Sequence, residues 1–146
     1  MVSATKIFTF CAAHRLVNHQ GLCRYLHGHN YKVEVGFRCS NDDLDPLGMV
    51  LDFSDIKSTV GLWLAENWDH AIILNKDDAP ALAAVKLFEG MEGAPARLYR
   101  FPGNPTAERM AYEILLKCAE LMPAGSPPAD SVTVWETDSS FATAVA

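Results

Sequence analysis

Histidines at three positions of the chain have the spacing of metal ligands. His27 and His29 are two residues apart in a segment, residues 27–37, that alternates apolar and polar side chains as a strand does. Because successive side chains of a strand point to opposite sides, both imidazoles would lie on one face. His14 ends a second alternating run, over residues 8–14, and would lie on its apolar face. Three neutral imidazoles could bind Zn²⁺ and leave its fourth position open, as catalytic zinc sites do, although a histidine on an apolar face is more often a packed, hydrogen-bonded residue than a ligand.

Cys23 lies in the loop between these two strands, four residues before His27. A thiol whose pKa is lowered from its usual value of about 8.5 could act as a base at neutral pH, whereas a cysteine without such neighbours is an inert small residue. Further along the chain, Asp69 and His70 could work as a proton-transfer pair or could form an ordinary turn. The residues alone leave both alternatives open.

Three further polar residues stand near the ends of predicted elements. Glu136 continues the apolar face that Val132 and Val134 define on the last predicted strand, and the simpler alternative is a strand end in solvent. Thr106 and Glu108 stand at a predicted helix N-terminus, where a hydroxyl can cap the helix and a carboxylate complements its dipole.

Hydrophobic periodicity predicts the elements that position these residues. We predict strands over residues 5–13, 29–38, 97–101 and 131–137, the first two as antiparallel neighbours. One helix is predicted to begin at Ser54, as its N-cap, and to end near Asn67. A second should begin after Asn104-Pro105-Thr106 and end before Pro123, and residues 75–96 are interpreted as a mobile connection with room for a short helix.

Composition restricts the class of protein. The 146 residues, 49% hydrophobic and 21% charged, suit one domain over residues 1–146. A net charge of −6 without a Lys/Arg run argues against a nucleic-acid partner. No apolar run reaches the ~20 residues of a membrane span, which predicts no membrane partner. Four cysteines without a Cys-x-x-Cys pair, and no signal-like start, favour a cytoplasmic location.

Five motifs occur in one order and make the chain recognisable: Ala12-Ala13-His14, the Cys-x-x-x-His-Gly-His of residues 23–29, Trp68-Asp69-His70, Pro105-Thr106-Ala107-Glu108 and Trp135-Glu136-Thr137. Over about residues 7–137 this pattern resembles the family of 6-pyruvoyl- and 6-carboxy-tetrahydropterin synthases. Three residues separate Cys23 from His-Gly-His, and this spacing resembles that of the bacterial 6-carboxy branch. Trp68, where a leucine is usual, and the long 75–96 connection depart from the family pattern and bear on substrate fit.

The resemblance implies an α+β T-fold and a set of site residues. The fold is an antiparallel sheet with two helices on one face, which assembles with other copies into a β-barrel and a homohexamer made of two trimers. The family's three zinc-binding histidines correspond to His14, His27 and His29, the same three that strand parity selects. Its base corresponds to Cys23, and the partner pair of that base to residues 69–70.

The resemblance also implies a substrate and a reaction. The glutamate that anchors the pterin ring corresponds to Glu136, and Thr106 and Glu108 correspond to residues that line the same pocket. The implied reaction converts 7,8-dihydroneopterin triphosphate to 6-carboxy-5,6,7,8-tetrahydropterin, with release of acetaldehyde and triphosphate, for queuosine and 7-deazapurine synthesis.

Other functions stay open at this point. The 6-pyruvoyl reaction, which eliminates triphosphate from the same substrate, would use nearly all the same residues. A zinc hydrolase would use the three histidines with a metal-bound hydroxide and would not need Cys23. A non-catalytic oligomer stabilised by zinc would need neither Cys23 nor Glu136.

Overall fold

The computed structural model describes residues 1–89, 91–93 and 96–146. Within these residues one sheet has six strands, which in chain order are β1 (Val2–His14), β2 (His27–Cys39), β3 (Ala71–Asn75), β4 (Leu98–Phe101), β5 (Ala129–Thr137) and β6 (Ser140–Val145). Helix α1 is continuous over Phe53–Ile56, a π-helical turn at Lys57–Gly61 and Leu62–Asn67, and it is followed by α2 (Ala79–Glu89) and α3 (Ala107–Leu121). Short 3₁₀ turns occur at Leu22–Arg24 and Asn41–Asp43. None of the described helices is long and apolar enough to cross a membrane.

The strand order is β4-β3-β1-β2-β5-β6. β1, β2, β5 and β6 are antiparallel neighbours, whereas β1 with β3 and β3 with β4 pair in parallel. The expected α+β fold is confirmed, but its sheet is mixed rather than wholly antiparallel, and the described residues contain three helices rather than two. Parallel neighbours need a crossover connection, and α2 supplies it between β3 and β4.

The predicted elements agree with the structure in most places. β1 and β2 pair over their whole lengths, from Val2 opposite Cys39 to His14 opposite His27. The cap of α1 is Asp52, whose side chain accepts the Ser54 N–H at 2.7 Å, so the prediction of Ser54 as the cap was wrong. A helix does lie in the 75–96 connection, although Gly90 and residues 94–95 fall outside the described residues.

The core lies between one face of the sheet and helices α1 and α3. Its buried residues include Phe10 and Ala12 of β1, Tyr31, Val33, Val35 and Phe37 of β2, Val132 and Val134 of β5, and the helix residues Ile56, Val60, Leu64, Met110, Ala111, Ile114 and Cys118. Trp68 is fully buried in this core, with its ring centroid 5.0 Å from that of Trp63 and 5.9 Å from that of Phe10. The large ring at this position therefore packs at the end of α1, where the chain turns toward β3.

Candidate metal centre

Three histidines meet at the end of the core face of the sheet. The register of β1 and β2 places His14 opposite His27 and Ala12 opposite His29, so strand parity points all three imidazoles to the same side. One nitrogen from each ring can be chosen so that the three atoms lie within 4.8 Å of one another. The ring centroids are 4.6 to 5.1 Å apart. The predicted cluster is therefore present as a geometric unit.

Backbone carbonyls set the tautomers of two of these rings. Because a carbonyl oxygen only accepts, His14 Nδ1 must donate to the Pro105 carbonyl at 2.8 Å and His27 Nδ1 to the Tyr25 carbonyl at 2.7 Å. The two Nε2 atoms are then left without hydrogen, and they face each other at 3.1 Å. Two lone pairs at this distance repel unless a cation or a proton lies between them.

His29 supplies a third free nitrogen. Its Nε2 atom is buried and has no hydrogen-bond partner among the described residues. Burial lowers the pKa of His29, although Glu136 opposes the shift. Burial also lowers the pKa of His14 to about 4. Both rings are therefore neutral near pH 7, which is the form that binds a metal.

These features fit a bound metal ion. A ligating histidine usually donates its other ring N–H to a carbonyl or a carboxylate, as His14 and His27 do. Three imidazole nitrogens suit zinc and other borderline divalent metals, and three protein ligands leave one position for water or substrate. The described residues can thus hold a metal in an open site.

Glu136 lies beside the histidines rather than at a solvent-facing strand end. The register between β5 and β6 shifts between Trp135 and Thr137, and such a bulge re-aims the side chain within it. The Glu136 carboxylate is 3.9 Å from His14 Nε2, and its side chain is 26% exposed. The carboxylate can therefore reach both the metal centre and a ligand bound next to it.

A cavity of about 380 Å³ opens beside Glu136. Cys23, Thr106 and Glu108 line it together with His19 from the loop before β2. Thr106 also caps α3, since its hydroxyl accepts the Arg109 N–H at 3.4 Å, and Glu108 stands in the first helical turn. The capping interpretation of Thr106 is confirmed, and the same two residues also line the pocket.

Asp69 and His70 lie elsewhere in the chain, on the side of the sheet that faces away from the histidines. His70 Nδ1 is 3.0 Å from Asp69 Oδ1, and the cysteine next to this pair is Cys11, whose Sγ atom is 3.7 Å from His70 Nε2. Cys23 has no hydrogen bond to either residue among the described residues. Within one chain the structure therefore does not bring Cys23 together with the pair that was expected to assist it.

An ion pair with a buried carboxylate, near the site, was not predicted. The Arg15 guanidinium binds the carboxylate of Asp78 with two hydrogen bonds, of 2.5 and 2.9 Å, and Asp78 is 2% exposed. Arg15 also donates to the Arg24 carbonyl at 3.5 Å, next to Cys23. Arg15 directly follows the candidate ligand His14, which could have drawn attention to it. Its partner Asp78 could not be found in this way, because it lies 63 residues further along the chain.

Fold and site together define an α+β protein in which three clustered histidines at the end of the sheet could hold a metal ion. The family model of 6-pyruvoyl tetrahydropterin synthase matches residues 3–146, and the chain belongs to this family. This confirms the resemblance inferred from the five motifs.

Curated relatives and a solved structure agree with this assignment. The chain is 37% identical over 114 residues, 78% of each chain, to 6-carboxy-5,6,7,8-tetrahydropterin synthase from Rickettsia felis. It is 33% identical over 147 residues to the protein of the same name from Haemophilus influenzae, with 97% of this chain and 96% of the relative covered. The structure of Caenorhabditis elegans 6-pyruvoyl tetrahydropterin synthase superposes with a TM-score of 0.71 at 25% identity, over 99% of this chain and 95% of the other. The bacterial relatives carry the name of the branch that the cysteine-to-histidine spacing favoured.

Proposed function

We propose that this protein is a zinc-dependent 6-carboxy-5,6,7,8-tetrahydropterin synthase. It would convert 7,8-dihydroneopterin triphosphate and one water molecule to 6-carboxy-5,6,7,8-tetrahydropterin, acetaldehyde and triphosphate. The names of the curated relatives support this reaction. The structural observation that best supports the proposal is that the Nε2 atoms of His14 and His27 face each other beside a cavity that Cys23 and Glu136 line.

His14, His27 and His29 would hold the metal. Bound zinc would act as a Lewis acid that polarises side-chain oxygens of the substrate and makes a neighbouring C–H more acidic. The donor set consists of imidazoles alone, which supports zinc rather than magnesium or calcium, because those harder ions prefer oxygen ligands. The carbonyls of Pro105 and Tyr25 keep two of the rings in the tautomer that ligation requires.

Glu136 would anchor the pterin ring. A ring N–H and the exocyclic amino group of a pterin form two parallel donors, which a carboxylate accepts with both oxygens. The half-buried position of Glu136, 3.9 Å from His14 Nε2, would exclude part of the competing water and would hold the ring next to the metal centre. Thr106 and Glu108, which line the same cavity, would also contact the substrate.

Cys23 would transfer protons as its thiolate. It lies on the cavity wall, and a metal ion at the neighbouring histidines would favour the thiolate. Asp69 and His70 would assist from a second copy of the chain, because within one chain this pair lies beside Cys11. This assignment requires a homo-oligomer, and the family resemblance implies a hexamer made of two trimers.

The product would enter queuosine and 7-deazapurine synthesis. We place the reaction in the cytoplasm, where thiols stay reduced. All four cysteines are free in the structure, which is consistent with a reducing compartment.

Incubation of the zinc-loaded protein with 7,8-dihydroneopterin triphosphate, followed by mass spectrometry, tests the proposal. We expect 6-carboxy-5,6,7,8-tetrahydropterin with equal amounts of acetaldehyde and triphosphate. A 6-pyruvoyl product without acetaldehyde would assign the protein to the other branch of the family. Hydrolysis of phosphate alone would indicate a zinc hydrolase, and no turnover would favour a non-catalytic zinc protein.

A further inference from the structure

A second group of metal-ligand side chains lies on the other face of the sheet. Cys11, Asp69 and His70 each offer one donor atom, and the three atoms lie within 4.8 Å of one another. Cys11 and His14 are three residues apart on β1, so their side chains point to opposite faces about 10 Å apart along the strand. This cluster is therefore separate from the three histidines.

The donor distances are those of a tetrahedral metal site. Cys11 Sγ is 3.8 Å from His70 Nδ1 and 3.9 Å from Asp69 Oδ1. Zinc bonds of about 2.3 Å to sulfur and about 2.0–2.1 Å to nitrogen or oxygen place sulfur about 3.6 Å from the other donors in a tetrahedral site. Asp69 Oδ1 and His70 Nδ1 are 3.0 Å apart, the distance of a hydrogen bond whose proton a metal ion would replace. Small shifts of the side chains would therefore be enough for the three donor atoms to bind one metal ion.

The backbone holds the three residues together. The Cys11 N–H donates to Asp69 Oδ1 at 3.2 Å, and the His70 N–H donates to the Cys11 carbonyl at 2.7 Å. His70 has a φ of 59°, in the left-handed region that residues other than glycine seldom adopt. These contacts fix the turn before β3 against β1. The three donor residues are therefore already close together before a metal binds.

Charge and access also suit a cation. A thiolate and a carboxylate together neutralise a divalent ion, and binding would release the thiol proton to solvent. A surface cavity of about 420 Å³, lined by Cys11 and His70 among others, leaves room for a water ligand. The His70 side chain is 75% exposed and can adjust its ring.

We propose that Cys11, Asp69 and His70 form a second metal site, which takes a thiophilic divalent cation such as Zn²⁺ or Cd²⁺. The ligand set is mixed sulfur, oxygen and nitrogen, whereas the first centre offers imidazoles alone. One consequence rests on the proposed function: a metal held here withdraws Asp69 and His70 from proton transfer, so an excess of such a cation inhibits turnover.

Cobalt provides a test that does not depend on turnover. Zinc binds most sites more tightly than cobalt, so Co²⁺ added to protein that carries only one Zn²⁺ per chain should leave the histidine centre intact. We expect one further Co²⁺ per chain and a thiolate-to-cobalt charge-transfer band in the near ultraviolet. Cys11→Ser should abolish the band and weaken cobalt binding by more than the ~10–100-fold that loss of an outer-shell partner costs.

Matched variants identify the thiol responsible. Cys23→Ser and Cys39→Ser should keep the band, and His70→Asn, which tolerates the positive φ, should weaken cobalt binding in a protein that still has its thiol. His29→Ala should keep the band even if it loses its zinc. The outcome for the second site therefore does not depend on the outcome for the proposed function. A band that survives in Cys11→Ser, a band lost in Cys23→Ser alone, or a wild-type protein that binds no second ion would each overturn the second site.

Discussion

Single hydrogen bonds decide what the histidines can do. His14 and His27 each give their Nδ1 hydrogen to a carbonyl of a neighbouring segment, so the nitrogen that faces the cluster is the one without hydrogen. The Pro105 carbonyl could not be identified from the sequence because it lies 91 residues from His14, whereas the Tyr25 carbonyl is only two residues from His27. The alternation of side chains along the strands predicted which rings meet, and hydrogen bonds to backbone carbonyls determine which nitrogen His14 and His27 present.

The first prediction concerns metal content. His29→Ala removes the nitrogen that has no partner in the described residues, so the purified protein should lose most of its zinc. Elemental analysis of wild type and variant measures this directly. His19→Ala is the matched control, because His19 is exposed and its Nδ1 accepts the Gly21 N–H instead of facing the cluster. Full zinc occupancy in His29→Ala would exclude His29 as a ligand.

The second prediction concerns the proton-transfer residue. Cys23→Ala should lower turnover by ~10²–10⁴-fold, as loss of a general base does, and should keep both zinc and pterin. Steady-state kinetics together with zinc analysis separates these effects. Cys39→Ala, at the far end of β2, should retain wild-type turnover. If Cys23→Ala turned over within a few fold of wild type, another residue would be the base.

The third prediction concerns the pterin anchor. Glu136→Gln replaces one acceptor oxygen with an N–H donor, which then opposes a donor of the ring. Loss of a charged hydrogen bond with its partner left unpaired costs about 2–4 kcal/mol, or roughly 30- to 1000-fold in pterin affinity. Calorimetry with a pterin ligand measures the change, while zinc content should stay constant. Glu120→Gln, an exposed change on α3, should bind as wild type does, and equal affinity in Glu136→Gln would return Glu136 to the role of an ordinary strand residue.

At the scale of elements, alternation made β1, β2 and β5 predictable and left two strands unseen. β3 contains the continuous apolar run Ile72-Ile73-Leu74, which has no period of two because Ile73 and Leu74, on opposite faces, are both buried. β6 was missed because it is short and largely exposed. The Asp69–His70 pair was expected near Cys23 but lies near Cys11, since the position of the turn depends on the parallel pairing of β3 with β1. Pairing of this kind is not encoded in local sequence.

The fourth prediction concerns the turn between α1 and β3. Arg97 donates to the carbonyls of Ala65 and Glu66 at the end of α1, and to the Asp69 carbonyl at 3.1 Å. Arg97→Ala should therefore lower the free energy of unfolding by about 0.5–1 kcal/mol, the usual contribution of a cation at a helix C-terminus. It should also lower turnover more than pterin affinity, because the turn positions His70. Urea denaturation and kinetics measure both, with the exposed Arg100→Ala on β4 as the control, and an unchanged kcat would mean that Arg97 acts on stability alone.

At the scale of the whole molecule, the sheet has open edges on both sides of its antiparallel half. β3 pairs with β1 only over residues 12–14, which leaves residues 2–10 of β1 without a partner on that side among the described strands. β6 is the last strand at the other end of the sheet. Apolar side chains near these edges are exposed: Ile7 is 54% exposed, Phe141 56% and Val145 71%. Long open edges with apolar side chains favour pairing with another chain.

The last prediction joins this surface to the active site. If the edge of β1 pairs with the edge of β6 from a second copy, wild type should be an oligomer, with the hexamer as the expected species in light scattering at micromolar concentration. The double change Ile7→Lys and Val145→Lys places charge on both edges and should shift the protein to smaller species. Leu87→Lys, an exposed apolar position on α2 at 77% exposure, is the control and should remain assembled. The smaller species should keep zinc, because its proposed ligands all lie within one chain, but lose turnover, because the Asp69–His70 pair would then be absent from the cavity that Cys23 lines. A wild-type monomer with full turnover would contradict both the assembly and the shared site.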